Sequence, residues 1–253
     1  MARITTITNQ KGGVGKTTTA HALATGLGKF GKKVLVIDID PQGNISYTMG
    51  ADDQLPCTYH LLKGEISAAK AVQSTPQGDI IPGNLLLAGA DMEFNQTGRE
   101  FLLRDSMEGI EKQYDHIIID TPPTIGILTI NALTASTDVV IPMGADIYSL
   151  QGLSQLYATI GKVKKYCNRE LFIAGLLMTR FNGRTILAQD LRENIEEKAA
   201  FIGSRLFRSY IREGVAVKEA QTQQTSIFDS APKSNPAQDY LAFVREYLQM
   251  ERK

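Results

Sequence analysis

The ten residues Asn9-Gln10-Lys11-Gly12-Gly13-Val14-Gly15-Lys16-Thr17-Thr18 constrain this chain more than any other stretch. They follow the β-branched run Arg3 to Thr8 and lead into an Ala- and Leu-rich segment, Thr17 to Phe30, that reads as a helix. A strand, a glycine-rich turn and a helix start, in that order, make a cradle for phosphate. The glycines reach backbone angles other residues avoid and let amide N–H groups close on an anion. The helix beginning near Lys16 presents its positive end to the same anion. The Lys16 ammonium suits the β- and γ-phosphates of a nucleotide, and the Thr17 hydroxyl suits Mg²⁺.

Acid-terminated apolar runs come next. Val34 to Ile37 is closed by Asp38, with Asp40 two residues on, in Asp38-Ile39-Asp40-Pro41-Gln42-Gly43-Asn44. His116 to Ile119 is closed by Asp120 and followed by Thr121-Pro122-Pro123; Val139 to Ile141 and Leu171 to Met178 continue the series. Continuous rather than alternating apolar runs suit strands buried on both faces of a parallel sheet, with helices as the crossovers. The expected fold is therefore α/β: one doubly wound, mostly parallel sheet with helices on both faces, a single domain over residues 1–253. Ligands of such sheets sit at the carboxyl ends of the strands, so Asp38, Asp40 and Asp120 should face the phosphate loop. Asp40 also suits a cap or Asx turn before Pro41. Asp52 to Gly83 is weaker in pattern and reads as surface elaboration. Asn235 to Met250 reads as a closing helix with Pro236 in its first turn.

A chain of 253 residues, 43% hydrophobic, can bury roughly 75% of its unfolded surface without a disulfide or metal staple. Cys57 and Cys167 form no CxxC, and His21, His60 and His116 show no metal spacing, so all five read as structural. No apolar run is long enough to cross a bilayer, and no signal peptide is visible. Charge is uneven: residues 1–150 hold 11 Lys and Arg against 16 Asp and Glu, and residues 151–253 hold 16 against 11. That asymmetry fits either solvated helices or a basic face on the second half.

The loop departs from GxxxxGK[ST], having Gln10 at the first glycine and an added Lys11. In this form KGGVGKTT resembles the ParA/MinD/nitrogenase-iron-protein class of ATPases. Asp38 to Asn44 (DxDPQGN) and Tyr114 to Pro123 (YDxIIIDxPP) are similar to its ParA branch. The resemblance implies that Lys11 reaches across a dimer interface to the partner's nucleotide, a cation supplied in trans. It implies that Gly12, Gly13, Val14, Gly15, Lys16, Thr17 and Thr18 hold ATP. It further implies that Asp40 orients the attacking water, and that Thr17, Asp38 and Asp120 form the magnesium shell. Gly175 to Thr185 is similar to a family segment close to TMYDGRT, with Arg184 keeping its arginine. Phe207 to Ala220 sits where many members have IPRNVRLSEA, with Arg212 for the proline, Glu213 for the first arginine, Gly214 for the asparagine and Ala216 for the second arginine. In the family this loop touches adenine. Its backbone role carries over to Arg212 and Gly214; the DNA role of the missing arginines does not.

The resemblance runs from Arg3 to about Leu248. It implies a Mg²⁺- and ATP-dependent homodimerisation switch that binds DNA without sequence preference and hydrolyses ATP slowly, stimulated by a ParB-like centromere-binding protein. It implies a role in partition of a chromosome, plasmid or mobile element, in the cytoplasm at the nucleoid, on the short Soj-like plan without an N-terminal helix-turn-helix domain. Candidate DNA-contacting cations are Lys162, Lys164, Lys165, Arg169, Arg184, Arg192, Arg205, Arg208 and Arg212. Two other readings stand beside it. A MinD-like membrane-associated ATPase needs a basic amphipathic tail, whereas Tyr240 to Leu248 is mixed in charge. A ligase resembling dethiobiotin synthetase shares the fold and phosphate loop but not DPQGN.

Overall fold

In the computed structural model, residues 1–250 are described except 53, 145, 182, 184 and 185; for 147–151 and 186–188 only the backbone is described. The chain alternates as its apolar runs predict. β1 (Arg3–Ile7) passes through the glycine-rich loop into α1 (Lys16–Lys29), which returns to β2 (Val34–Asp38). Short helices α2 (Asn44–Met49), α3 (Thr58–Leu62) and α4 (Ala68–Ala71) lead to a hairpin of β3 (Gln73–Thr75) and β4 (Gly78–Ile81). α5 (Ala90–Glu93) and α6 (Leu102–Ser106) precede β5 (His116–Asp120). Then come α7 (Ile127–Ala135), β6 (Asp138–Gly144), α8 (Ile147–Tyr166), β7 (Phe172–Thr179), α9 (Ile186–Phe201) and β8 (Leu206–Ile211). The described chain closes with α10 (Ala216–Thr222), α11 (Ile227–Ser230) and α12 (Asn235–Gln249).

The sheet order is β3-β4-β2-β5-β1-β6-β7-β8, parallel throughout except for the β3–β4 pair. Alternate residues of each strand feed different cores. Val36, Ile118 and Val140 pack with α1 and α12, against Leu23, Leu27, Phe243 and Tyr247. Leu35, Ile37, Ile117 and Ile119 face the opposite side, with Leu103 and Ala132. Val139, Ile141 and Leu176 continue that side against α8 and α9 through Leu156, Ile160 and Ile195. Burial on both faces explains why these strands read as unbroken apolar runs. α12 is the closing helix the sequence predicts; the Ser234 hydroxyl caps it, accepting from Ala237 N, and Pro236 sits in the first turn.

Two strands depart from expectation. The segment read as surface elaboration contains β4, which lies parallel to β2 with Ile80 and Ile81 fully buried. Only two apolar residues, hemmed by Gly78, Pro82 and Gly83, carry that strand, too few for a pattern. Leu206–Ile211, for which the sequence reading names no element, forms edge strand β8. At the irregularity of its pairing with β7, the Glu246 carboxylate of α12 accepts from the Arg208 and Ser209 amides, each at 2.9 Å.

Candidate functional site

β1 lies between β5 and β6, the point where successive connections turn to opposite sides of the sheet. Such switch points open a crevice at the strands' carboxyl ends. Here it receives the glycine-rich loop. Gly13 and Gly15 have φ of 73° and 79°, a left-handed backbone that side chains disfavour. Gly15 starts α1 with no side-chain cap, so first-turn amides stay open to an anion. Asn9 braces the loop, donating to Pro142 O at 2.8 Å and accepting from Lys11 N at 3.0 Å. Thr179, ending β7, donates to Val14 O at 2.8 Å.

The register sets the acids beside this loop. Asp38 and Asp120 are direct neighbours across the β2–β5 pair, and Ile7 neighbours Asp120 across β1–β5. Both acids are fully buried, yet their surroundings differ. Asp38 is spent within the protein: Oδ1 accepts from Asp40 N at 3.0 Å, and Oδ2 from Ser46 N and Oγ at 3.2 and 2.6 Å. Burial still pushes it up to about 6, against those hydrogen bonds. Neither oxygen of Asp120 has a hydrogen-bond partner of acceptable geometry. Burial, then the charge of Asp38, raises its pKa well above the usual carboxylate range, with Thr17 and Lys16 opposing. Lys16 is 7% exposed and has its pKa lowered by burial, with Asp120 and Asp40 working against the shift. The Lys16 ammonium donates to Lys11 O at 3.3 Å, and Asp120 and Asp40 are the carboxylates whose charge acts on it. An orphaned buried carboxylate beside a threonine hydroxyl fits a divalent cation.

A cavity of about 490 Å³ opens from this point. Gly12, Gly13, Gly15, Lys16, Thr17, Thr18 and Asp40 line it, as does Gly214. Asp40 is nearly buried, and Gln42 N donates to its Oδ1 at 3.0 Å, the Asx turn expected before Pro41. Val14 is buried and contributes only backbone. Lys11 does not line the cavity; its ammonium pairs in cis with Asp146 at 2.6 Å. Arg212 also turns away, donating from Nε and Nη2 to Asp239 at 2.9 and 2.7 Å, and leaves Ile211, Glu213 and Gly214 as this loop's part of the cavity wall. Gly214 is required there, since a Cβ would lie 2.8 Å from Pro236 Cγ.

The candidate DNA cations come from α8, α9 and β8 and the turns beside them. Lys162, Lys164, Lys165 and Arg169 are exposed at the end of α8, where the chain has returned to the edge of the sheet opposite the phosphate loop. Arg192 lies over the Tyr210 ring at 6.0 Å, Arg205 donates to Ala174 O, and Arg208 extends from β8. Arg184 lies outside the described residues. His21 and His116 are buried, and the Cys57 thiol lies 3.2 Å from His60 Nδ1.

Local reading missed the cavity's far wall. Thr179, Arg180, Glu213, Lys218, Gln221 and Tyr240 all line it. Thr179 carried one faint signal, a polar residue ending an apolar strand like Asp38 and Asp120. Tyr240 comes from α12, its hydroxyl 3.2 Å from Thr19 Oγ1, a contact across 221 positions. Arg180 has φ 52°, a left-handed conformation costing an arginine about 1–2 kcal/mol. Its ion pair with Glu213 is exposed and is worth about 0–1 kcal/mol.

A family model described as an AAA domain matches residues 2–173. The chain is 41% identical to the sporulation initiation inhibitor protein Soj of Bacillus subtilis, over 97% of this chain and 98% of Soj. It is 36% identical to the chromosome partitioning protein ParA of Caulobacter vibrioides, over 99% and 95%. Among solved structures it is similar to cobyrinic acid a,c-diamide synthase from Mycobacterium smegmatis with bound ATP analog and magnesium, with TM-score 0.84, 29% identity, and coverage of 100% and 96%. With its deviant phosphate loop, its register-paired acids and this similarity along nearly its whole length, the chain belongs to the ParA/Soj family of partition ATPases.

Proposed function

We propose that this chain is a Mg²⁺-dependent ATPase whose nucleotide-bound form dimerises, binds DNA without sequence preference and serves partition of a chromosome, plasmid or mobile element. The observation that carries the chemistry is the pair of register neighbours Asp38 and Asp120, one spent on protein amides and one orphaned, beneath a loop that ends in Lys16. Gly12, Gly13 and Gly15 with the first-turn amides of α1 hold the phosphates, and Lys16 neutralises the β/γ end. Thr17 and Asp120 would hold magnesium, which when bound neutralises phosphate charge and orients it for in-line attack. Asp38 shapes the loop that presents Asp40, and Asp40 orients the attacking water.

Lys11 acts across the dimer. To do so it leaves Asp146 and reaches the partner's nucleotide, where a cation stabilises charge on the transferring phosphoryl group. Hydrolysis removes that contact and dissolves the dimer; a ParB-like protein speeds this step. The similarity to Soj and ParA over nearly full length supports the partition reading. Against a membrane-surface role, α12 buries Tyr240, Phe243, Val244 and Tyr247 in the core, leaving no free apolar face, and no described helix is long and apolar enough to cross a membrane. The protein is expected to act in the cytoplasm, at the nucleoid.

Light scattering of the chain with Mg²⁺ and a non-hydrolysable ATP analogue tests the switch. Wild type should dimerise; Lys11→Ala should bind nucleotide yet stay monomeric, and Asp40→Ala should remain dimeric with ATP itself. A wild type that stays single at every concentration overturns the reading. A DNA mobility shift titrated with salt then separates non-specific DNA binding, which weakens steeply with salt, from no binding.

A further inference from the structure

The cavity's far wall differs from the motifs these segments resemble. Arg180 stands where TMYDGRT has methionine, and Glu213 where IPRNVRLSEA has its first arginine. In the fold these two departures are the halves of one contact: Arg180 donates from Nε and Nη2 to Glu213 Oε1, at 3.1 and 2.7 Å. Both residues line the cavity that the phosphate loop opens into, beside Ile211, Gly214 and Val217.

Stability does not account for the pair. The side chains are 60% and 65% exposed, where screening leaves an ion pair little worth. Arg180 also carries the strained left-handed backbone already noted, and strain of this kind collects at ligand sites. The choice between phosphate and base follows from charge and shape. An arginine meant for phosphate is poorly served by a carboxylate held against it, since Glu213 would repel the same anion. An arginine meant for a ring is well served: a carboxylate gripping one edge of the guanidinium fixes its plane and leaves both faces open. Ile211 and Val217 add apolar surface beside Gly214.

We propose that Arg180, held by Glu213, is the base-stacking residue of the nucleotide cavity, with its guanidinium against the face of the purine and Glu213 as its positioning residue. The inference rests on the nucleotide reading of the cavity given above. It assigns to this chain a charged wall for the base in addition to the backbone loop.

Calorimetric titration with Mg-ATP and with magnesium tripolyphosphate, which has the phosphates and no base, tests it. Arg180→Ala is expected to weaken ATP binding about tenfold and to leave tripolyphosphate unchanged. Arg180→Gly, which suits the left-handed backbone, should do the same and guards against a folding artefact. Glu213→Gln should cost ATP about threefold, again sparing tripolyphosphate. Equal losses for both ligands would place Arg180 on the phosphates and overturn the proposal, as would no loss for either. A wild type that binds neither ligand would overturn the phosphate-site reading itself and this inference with it.

Discussion

Asp120 is the residue at which stability and use conflict most directly. Its carboxylate is fully buried beside Asp38 with neither oxygen hydrogen-bonded, a costly state unless a cation arrives. Asp120→Asn is therefore expected to stabilise the chain in magnesium- and nucleotide-free buffer by about 1 kcal/mol, roughly 2–4 °C in Tm. The same variant should lose most of the Tm gain that Mg-ATP confers on wild type. A thermal melt with and without Mg-ATP checks both halves, and a variant melting lower in metal-free buffer contradicts the account. Lys11 poses a smaller conflict. Its cis pair with Asp146 is about one-third exposed on each side, so it holds by about 0–1 kcal/mol. Asp146→Asn removes that pair and should tighten nucleotide-dependent dimerisation by up to about fivefold in sedimentation; a weaker dimer would mean that Asp146 serves the interface itself.

Among elements, the β3–β4 hairpin shows most clearly how packing makes a site. Gly83 follows β4, where an added Cβ would lie 2.8 Å from Asp38 O and 2.9 Å from Asp40 O. Its amide also donates to Ser46 Oγ, the hydroxyl that holds Asp38. Gly83→Ala must displace the segment carrying Asp38 and Asp40, at a cost of about 1–3 kcal/mol. Hydrolysis should fall several-fold while ATP affinity, set by the phosphate loop, changes little; steady-state kinetics beside equilibrium binding separates the two, and equal losses would refute the division. β2 and β5 were legible in the sequence because each is a run of buried Val, Leu and Ile ending in an acid. β4 was not, because its role depends on lying beside β2, and no local pattern in Gly78–Ile81 records that neighbour.

At the scale of the molecule, the cores that hold the strands together also determine the response to acid. His116 begins β5, is 1% exposed and lies near Arg3 and Lys32. Burial foremost, then those two cations, pushes it down to about 4 from an ordinary 6.5. The folded chain thus binds this proton more weakly than the unfolded chain. Its contribution is full above pH 6.5 and is lost as pH falls toward 4, a change on the order of 3 kcal/mol. Asp38, raised to about 6, runs the other way over the same range, so the informative measurement compares His116→Gln with wild type at each pH. Denaturant titrations from pH 7 to 4 should show the variant losing less stability than wild type; parallel curves would remove His116 from the account.

The phosphate loop, the acids that end β2 and β5, and the closing helix were determined by the sequence alone, since each is a local device. A glycine run after a strand needs only its own backbone angles, an apolar run needs only its own burial, and a capped helix start needs only the serine before it. Which acid is spent and which is left for a cation was decided by tertiary structure, through the register of β2 on β5 and the arrival of Ser46 beside Asp38. So were the cavity's far wall, drawn from β7, the β8–α10 loop and α12, and the turning of Lys11 toward Asp146 and of Arg212 toward Asp239. The physical reason is common to all of these: the energy of a buried or paired charge depends on what comes to lie beside it, and those neighbours are far away along the chain.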